Sequence, residues 1–301
     1  MRCENGSKNA SPGVISSTIT GEQQTALEMI TPKLALDNLI VLTEGSILDA
    51  YGHLSFRHPL NPETFIMPRN LAPANIASAR DLVEYNVADA SAVDANAPPG
   101  YIERFIHSEI YRRFPAINSV IHSHASAVIP YTISGEWQGV PLRACLHMAG
   151  FLGEATPVYD IAKHYDHDSI RDLLIRNTKL GESLATCFGT TDSDPATDRK
   201  LDINASVVLM RGHGYTVAAR GIEECVYRAI YTRENAAVQS QSLLLGAAYQ
   251  SASVHPPKLE YLHDDELPAA GSIAETGWKR AWGLWVREVE AVDLYVRDDQ
   301  P

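Results

Sequence analysis

Two histidines alternate in His122-Ser123-His124, at the end of the largely apolar run Ile117-Asn118-Ser119-Val120-Ile121. Residues two apart on a strand point to the same face, so both imidazoles can reach one metal ion. A third histidine, His213, lies in Arg211-Gly212-His213-Gly214, just after the apolar segment 206–210. Its flanking glycines let backbone approach a ligand closely. Three imidazoles around a divalent cation leave a coordination position open, which is the pattern of a catalytic site rather than a structural one. Glu103 stands nineteen residues before His122. On a helix it would share a face with His107, four residues on. A carboxylate there either ligates the resting metal or acts as general acid/base beside it, and the sequence leaves both roles open. Imidazole ligands suit zinc first, with manganese, iron and cobalt as alternatives.

These side chains need elements to hold them. Thr31-Pro32 opens a helix that carries Leu36, Leu39 and Ile40, and Gly45 ends it. Strands are predicted over 53–57 and 64–67, joined by a turn-rich link, and a further strand over 81–87. Residues 88–100 read as loop. A helix over 102–114, apolar at Phe105, Ile106 and Ile110 and stopped by Pro115, leads into the strand of the histidine pair. A short helix is expected over 126–133, a strand over 157–161 and a helix over 169–177. Residues 189–200 form a polar, acidic surface loop. Strands over 206–210 and 215–219 flank His213, and a long helix runs from 222 towards 245. Trp278, Trp282 and Trp285 make an apolar stripe on a tail helix. No internal repeat is visible. The mixture of short strands and helices predicts one α/β domain. Residues 1–24 would be a flexible arm, 25–250 the catalytic domain, and 251–301 a tail and helix for packing or oligomer contact.

The chain has 301 residues, 45% hydrophobic and 21% charged, enough core for a three-layer fold. A net charge of −12 argues against nucleic acid or an anionic membrane as partner, and favours a small-molecule substrate. The four cysteines, Cys3, Cys145, Cys187 and Cys225, are scattered without a C-x-x-C pair. That pattern points to a reducing, cytoplasmic setting rather than a disulfide framework. The first twenty residues lack the apolar core of a signal peptide, and no run is apolar enough to span a bilayer. Two other classes of metal enzyme use a His-x-His pair. Cupins need a glutamate shortly after it, and 125–129 offer none; amidohydrolase barrels need the pair near the chain start and a visible β/α repeat.

Taken together, Gly52-His53-Leu54-Ser55, Glu103 at its nineteen-residue spacing, His122-Ser123-His124 and Gly212-His213-Gly214 before a long helix resemble the class II aldolase/adducin family. The resemblance runs from about 34 to 245. It implies a single three-layer domain, with a central, mainly antiparallel sheet flanked by helices, assembled as a homotetramer with sites between subunits. It implies His122, His124 and His213 as metal ligands and Glu103 as acid/base and resting-state ligand. Tyr261 falls where some members carry a tail tyrosine that gives a proton to a neighbouring subunit's site.

The departures from that family's sugar-phosphate aldolases bear on substrate. Gly52-His53 stands where they read Gly-Asn, Met67-Pro68-Arg69-Asn70 where they have a Ser-Gly-type turn, and Tyr101-Ile102 where they have two serines. A phosphate cradle needs small residues, hydroxyls and backbone N–H groups, and tyrosine and isoleucine fill that space. The motifs instead resemble a branch acting on unphosphorylated, aromatic or carboxylated substrates, dihydroxyphthalate-type decarboxylases among them. His53, Tyr101 and Arg69 would line such a pocket. Arg211 is a second candidate carboxylate clamp, by its bidentate geometry. The stretch His147-Met148-Ala149-Gly150-Phe151-Leu152-Gly153 would form a pocket wall, with His147 as a polar contact; His164 and His167 read as solvated loop residues. The expected function is a metal-dependent carbon–carbon lyase, an aldolase or decarboxylase working through an enolate. The alternatives are an epimerase of the same fold and a non-catalytic adducin-like module.

Overall fold

The computed structural model describes residues 47–134, 139–189, 203–250 and 259–292. Seven strands form one sheet: β1 (His53–Arg57), β2 (Thr64–Pro68), β3 (Leu82–Asn86), β4 (Ser119–Ser123), β5 (Val158–Tyr159), β6 (Val207–Met210) and β7 (Gly214–Ala219). They lie in the order β3-β2-β1-β4-β7-β6-β5. Every neighbouring pair is antiparallel except β5 with β6. The helices are α1 (Arg104–Arg113), α2 (Ile129–Ile133), α3 (Thr178–Ala185), α4 (Ile222–Gln250) and α5 (Leu267–Glu290).

Strand alternation divides the core in two. Leu54, Ile121, Leu209 and Val217 belong to one apolar cluster, covered by α4 and α5. Phe65, Val120, Val208 and Ala218 belong to the other, covered by α1 and α3. His122 shares the parity of Val120, so it points to the α1 side, where Glu103 stands at the helix start. Both faces of the sheet are covered, which is why its central strands are buried end to end. This is the expected three-layer α/β architecture.

Local chemistry explains the elements around the site. β4 sits between β1 and β7, and the register pairs His53 with His122 and His122 with Thr216. The β6–β7 connection is three residues, Arg211-Gly212-His213. Gly212 takes φ +66°, open to glycine at little cost. At Gly214 an added Cβ would collide with the carbonyl oxygen of Ser123, so the turn seats directly on the end of β4.

One expected element is absent. Residues 169–177 are irregular, with Leu173 at φ +67°. Their amides are taken by side chains instead of by carbonyls one helical turn back. Tyr165 Oη accepts from Leu173 N–H (2.9 Å), Asp172 Oδ1 from Leu174 N–H (3.2 Å) and Glu103 Oε1 from Ile175 N–H (2.9 Å). The helix begins only at Thr178, where the Asn177 side chain accepts from Leu180 N–H. Other boundaries move less: the strand expected over 157–161 shrinks to Val158–Tyr159, and the long helix continues to Gln250. The arm, the helix expected over 31–45, most of the 189–200 loop and residues 251–258 lie outside the described residues. On α5, Trp282 and Trp285 pack on the core.

Candidate active site

Glu103, His122, His124 and His213 converge: one ligand atom from each lies within 4.8 Å of all the others. Each arrives from a different kind of support. Glu103 is the residue before α1, His122 lies in β4, His124 just beyond its end, and His213 in the β6–β7 turn. Glu103 Oε2 lies 3.5 Å from His213 Nε2 and 3.8 Å from His122 Nε2, and the Nε2 atoms of His122 and His124 are 3.0 Å apart. Donors sharing one ion at bond lengths of about 2.1 Å sit roughly 3–4 Å from each other.

The partners of the far ring nitrogens test whether this set fits a cation. Thr216 Oγ1 donates to Met210 Sδ (3.2 Å), so it is left to accept from His122 Nδ1 at 3.3 Å. The Asp49 carboxylate lies 3.2 Å from His124 Nδ1 and accepts its proton. Both imidazoles therefore carry their proton on Nδ1 and turn an Nε2 lone pair inward. Two lone pairs at 3.0 Å repel unless a positive centre lies between them. Orientation of metal-binding imidazoles through the opposite nitrogen is the expected support for such a site.

Burial sets the protonation states in the same direction. It holds His122 well below the usual imidazole range, reinforced by His213 and His53, and lowers His213 against the opposing pull of Glu103. Neutral imidazole is the form that ligates. Burial raises the Glu103 carboxyl, partly offset by His213 and the Ile175 amide. Burial also pushes Asp49 up, but hydrogen bonds from the Tyr51 and Gly52 amides and from the His124 ring outweigh it and hold the carboxyl below its ordinary value.

The cluster opens into a cavity of about 450 Å³ whose walls include Tyr51, His53, Asn70, Tyr101, Ile102 and Leu174. His53 and Tyr101 stand ring to ring at 4.8 Å. Tyr101 presents its ring, since its hydroxyl is tied to the Leu71 carbonyl. The remaining expected contacts lie elsewhere in this chain. Arg69 turns outward and pairs with Asp81 (2.8 Å), leaving its neighbour Asn70 on the cavity wall. Arg211 pairs with Asp160 (2.5 Å) and faces a separate cavity of about 540 Å³ beside Lys163 and Val158. His147 is exposed at the start of a 3-10 segment, His147–Leu152. That segment packs on α5 so closely that a Cβ at Gly150 would meet Ala270, and its Phe151 lines a different cavity from the one at the cluster. Tyr261 lies against the Arg143 guanidinium (4.4 Å) in a third cavity. His167 is exposed beside Asp168, as a solvated-loop reading expects, whereas His164 is half-buried and stacks on Tyr159.

Several contributors were not singled out from sequence, among them Asp49, Tyr51, Asn70, Thr216 and the 173–175 segment. Asp49 stands in Asp49-Ala50-Tyr51-Gly52, directly before the Gly-His motif, and that proximity was the available signal.

Fold and site together define an α/β enzyme with a preformed set of three imidazoles and a carboxylate suited to a divalent cation. Residues 38–240 match the Class II Aldolase and Adducin N-terminal domain, and the chain belongs to that family. It is 50% identical over 255 residues to decarboxylase tropJ of Talaromyces stipitatus, covering 85% of this chain and 92% of that protein. It is 28% identical over 258 residues to 3,4-dihydroxyphthalate decarboxylase of Arthrobacter keyseri, covering 79% and 87% respectively. Among solved structures, an aldolase II superfamily protein from Pseudomonas syringae superposes with a TM-score of 0.62 at 18% identity, covering 90% of this chain and 96% of that one. L-fuculose 1-phosphate aldolase from Glaciozyma antarctica does so with a TM-score of 0.62 at 14% identity, covering 95% and 97%. These two likenesses establish the fold. The chain is a lyase of this family, with the donor set in place that a non-catalytic module would not need.

Proposed function

We propose that the protein is a divalent-metal-dependent decarboxylase of a hydroxylated aromatic acid, with zinc as first candidate. His122, His124 and His213 would hold the ion, and Glu103 would work beside it. The observation that carries this reading is the four-donor cluster at the floor of a cavity walled by aromatic and apolar side chains, in a chain half identical to a decarboxylase.

A bound cation supplies Lewis-acid stabilisation of negative charge on a substrate oxygen. The chain's own residues do the rest. Tyr101, Ile102 and Leu174 would offer apolar surface to a planar ring. The C–C bond can break once its ring carbon has been protonated and the neighbouring hydroxyl oxygen has become a ketone; carbon dioxide then leaves, and the bonding pair returns through the ring to that oxygen and restores aromaticity. The proton must therefore reach the ring carbon first. Glu103 can deliver it from Oε2, since Oε1 is held by the Ile175 amide and burial favours the protonated acid. No arginine or lysine is among the described residues lining this cavity. That favours decarboxylation, because the carboxylate loses its charge in the transition state and a guanidinium clamp would stabilise only the starting state.

Aldol cleavage and retro-aldol epimerisation share the electron flow but ask for a polyol site, often with a phosphate cradle. A homotetramer, with Tyr261 offering a proton across a subunit boundary, completes the reading. The free thiols of Cys145, Cys187 and Cys225 suit the cytoplasmic location that goes with it.

Zinc- or manganese-loaded protein should release carbon dioxide from ortho-hydroxylated aromatic acids in heavy water and place one deuterium at the vacated ring carbon. Cleavage of L-fuculose 1-phosphate without release of carbon dioxide from any aromatic acid would overturn the proposal.

A further inference from the structure

We propose that His53 is a hydrogen-bond donor to an anionic oxygen of the bound substrate, its proton held on Nε2 by a one-way chain of hydrogen bonds from Tyr111 through Ser55 and His107. The identity of that oxygen rests on the decarboxylase reading. The direction of the chain does not.

Four buried side chains on β1 and α1 form an unbranched series. Tyr111 Oη lies 2.7 Å from Ser55 Oγ, Ser55 Oγ 2.6 Å from His107 Nδ1, and His107 Nε2 2.8 Å from His53 Nδ1. Each contact needs one proton between its two atoms. With neutral rings, Ser55 either donates to His107 or accepts from it, and these two cases run the His107–His53 contact in opposite directions.

In one, Tyr111 donates to Ser55, Ser55 to His107, and His107 to His53, which leaves His53 with a proton on Nε2. In the other, His53 donates to His107 and His107 to Ser55, and either the Tyr111 or the Ser55 hydroxyl proton must find another acceptor. Among the described residues the side-chain partner of Tyr111 is Ser55 alone, the Val120 amide lies against its oxygen as a donor, and Ser55 Oγ meets no acceptor beyond Tyr111 and His107. The second arrangement therefore strands a buried hydroxyl. At the opposite end His53 Nε2 is buried, has no hydrogen-bond partner among the described residues, and lies 3.9 Å from Glu103 Oε2.

The contrast with the neighbouring imidazoles defines its role. Thr216 and Asp49 place the protons of His122 and His124 on Nδ1, so their Nε2 lone pairs are free to ligate. The Tyr111 chain places the His53 proton on Nε2, so this third inward-facing ring donates. It stands 5.0 Å from His122, centre to centre, on the cavity wall. A phenolate or carboxylate oxygen brought to the ion would therefore meet an N–H beside it. His53 contacts substrate; His107, Ser55 and Tyr111 are positioning residues.

The zinc-loaded holoenzyme tests this by ¹⁵N spectroscopy of its histidine rings, with catechol as binding probe. The spectrum should place protons on Nε2 of His53 and His107. A proton on His53 Nδ1 overturns the proposal. His107→Phe removes the donor and should raise the catechol Kd about tenfold, the scale of one hydrogen bond, without loss of zinc. His107→Gln keeps an N–H near the Nε2 position and should restore both the affinity and the His53 signal. Equal weakening by both variants would reduce His107 to packing and refute its positioning role. If the native enzyme neither releases carbon dioxide nor binds catechol, the decarboxylase reading fails, and the ring spectrum still decides the direction of the chain.

Discussion

His53, His122 and His124 each work through one nitrogen, and a neighbour on the opposite nitrogen chooses which. Asp49 makes that choice for His124, and its carboxylate also caps the amides of Tyr51 (2.9 Å) and Gly52 (2.8 Å). Asp49→Asn keeps an oxygen for the turn and loses the negative charge that orients the ring. Metal affinity should fall about 10–100-fold, as for other partners of metal-binding histidines, when measured by competition with a chelating dye. An unchanged affinity would make Asp49 a turn residue only. Glu103→Gln should leave bound metal near stoichiometric, because three imidazoles remain, while kcat falls about 10²–10⁴-fold with the loss of the proton carrier. Full activity in that variant would remove Glu103 from the proton step.

At the scale of elements, the site depends on short connections pressed against strand ends. The turn after β6 places His213 only because Gly214 lies on the Ser123 carbonyl. Gly214→Ala must push β4 and β7 apart or tilt the turn. Thermal unfolding and elemental analysis should show a cost of about 1–3 kcal/mol and a weakened His213 contribution to metal binding. A variant with native melting temperature and native metal content would show that the turn is free to relax. The 173–175 segment is the second such connection. Its Ile175 amide holds Glu103 Oε1, so an irregular stretch that a helix would have consumed fixes the carboxylate rotamer instead.

For the whole molecule, the sheet separates an α4–α5 core from an α1–α3 core, and the polar chain of His53, Ser55, His107 and Tyr111 is buried on the α1 side. That placement has a pH consequence. Burial pulls His53 down to about 3 and His107 well below the usual value, whereas in the unfolded chain both titrate near 6.5. The unfolded state thus binds more protons below pH 6.5. Stability from these groups is complete above that value and is lost as pH falls from about 6.5 towards 3, by about 1.4 kcal/mol per pH unit for each group. Urea midpoints of the metal-free protein should fall between pH 8 and pH 5, and less steeply for His107→Gln. Identical pH slopes would assign the acid sensitivity to other groups.

The sequence by itself determined the donor set, because ligation needs particular atoms. Few residue types supply them, and strand parity and glycine-flanked turns mark their positions. It also marked most of the strands and helices, since alternation and helical spacing are local properties, while the layering came from the family resemblance. Arg69 and Arg211 show where that information stops. Both are chemically fit to clamp a carboxylate, yet Asp81 and Asp160, twelve residues after one and fifty-one before the other, claim them. The 169–177 stretch fails for the same reason, because its amides are satisfied by Tyr165, Asp172 and Glu103 rather than by its own carbonyls. Only the tertiary structure decided which nitrogen of an imidazole faces the site. A histidine's proton goes where its distant partners put it, and Thr216, Asp49 and Tyr111 reach their rings through folding alone.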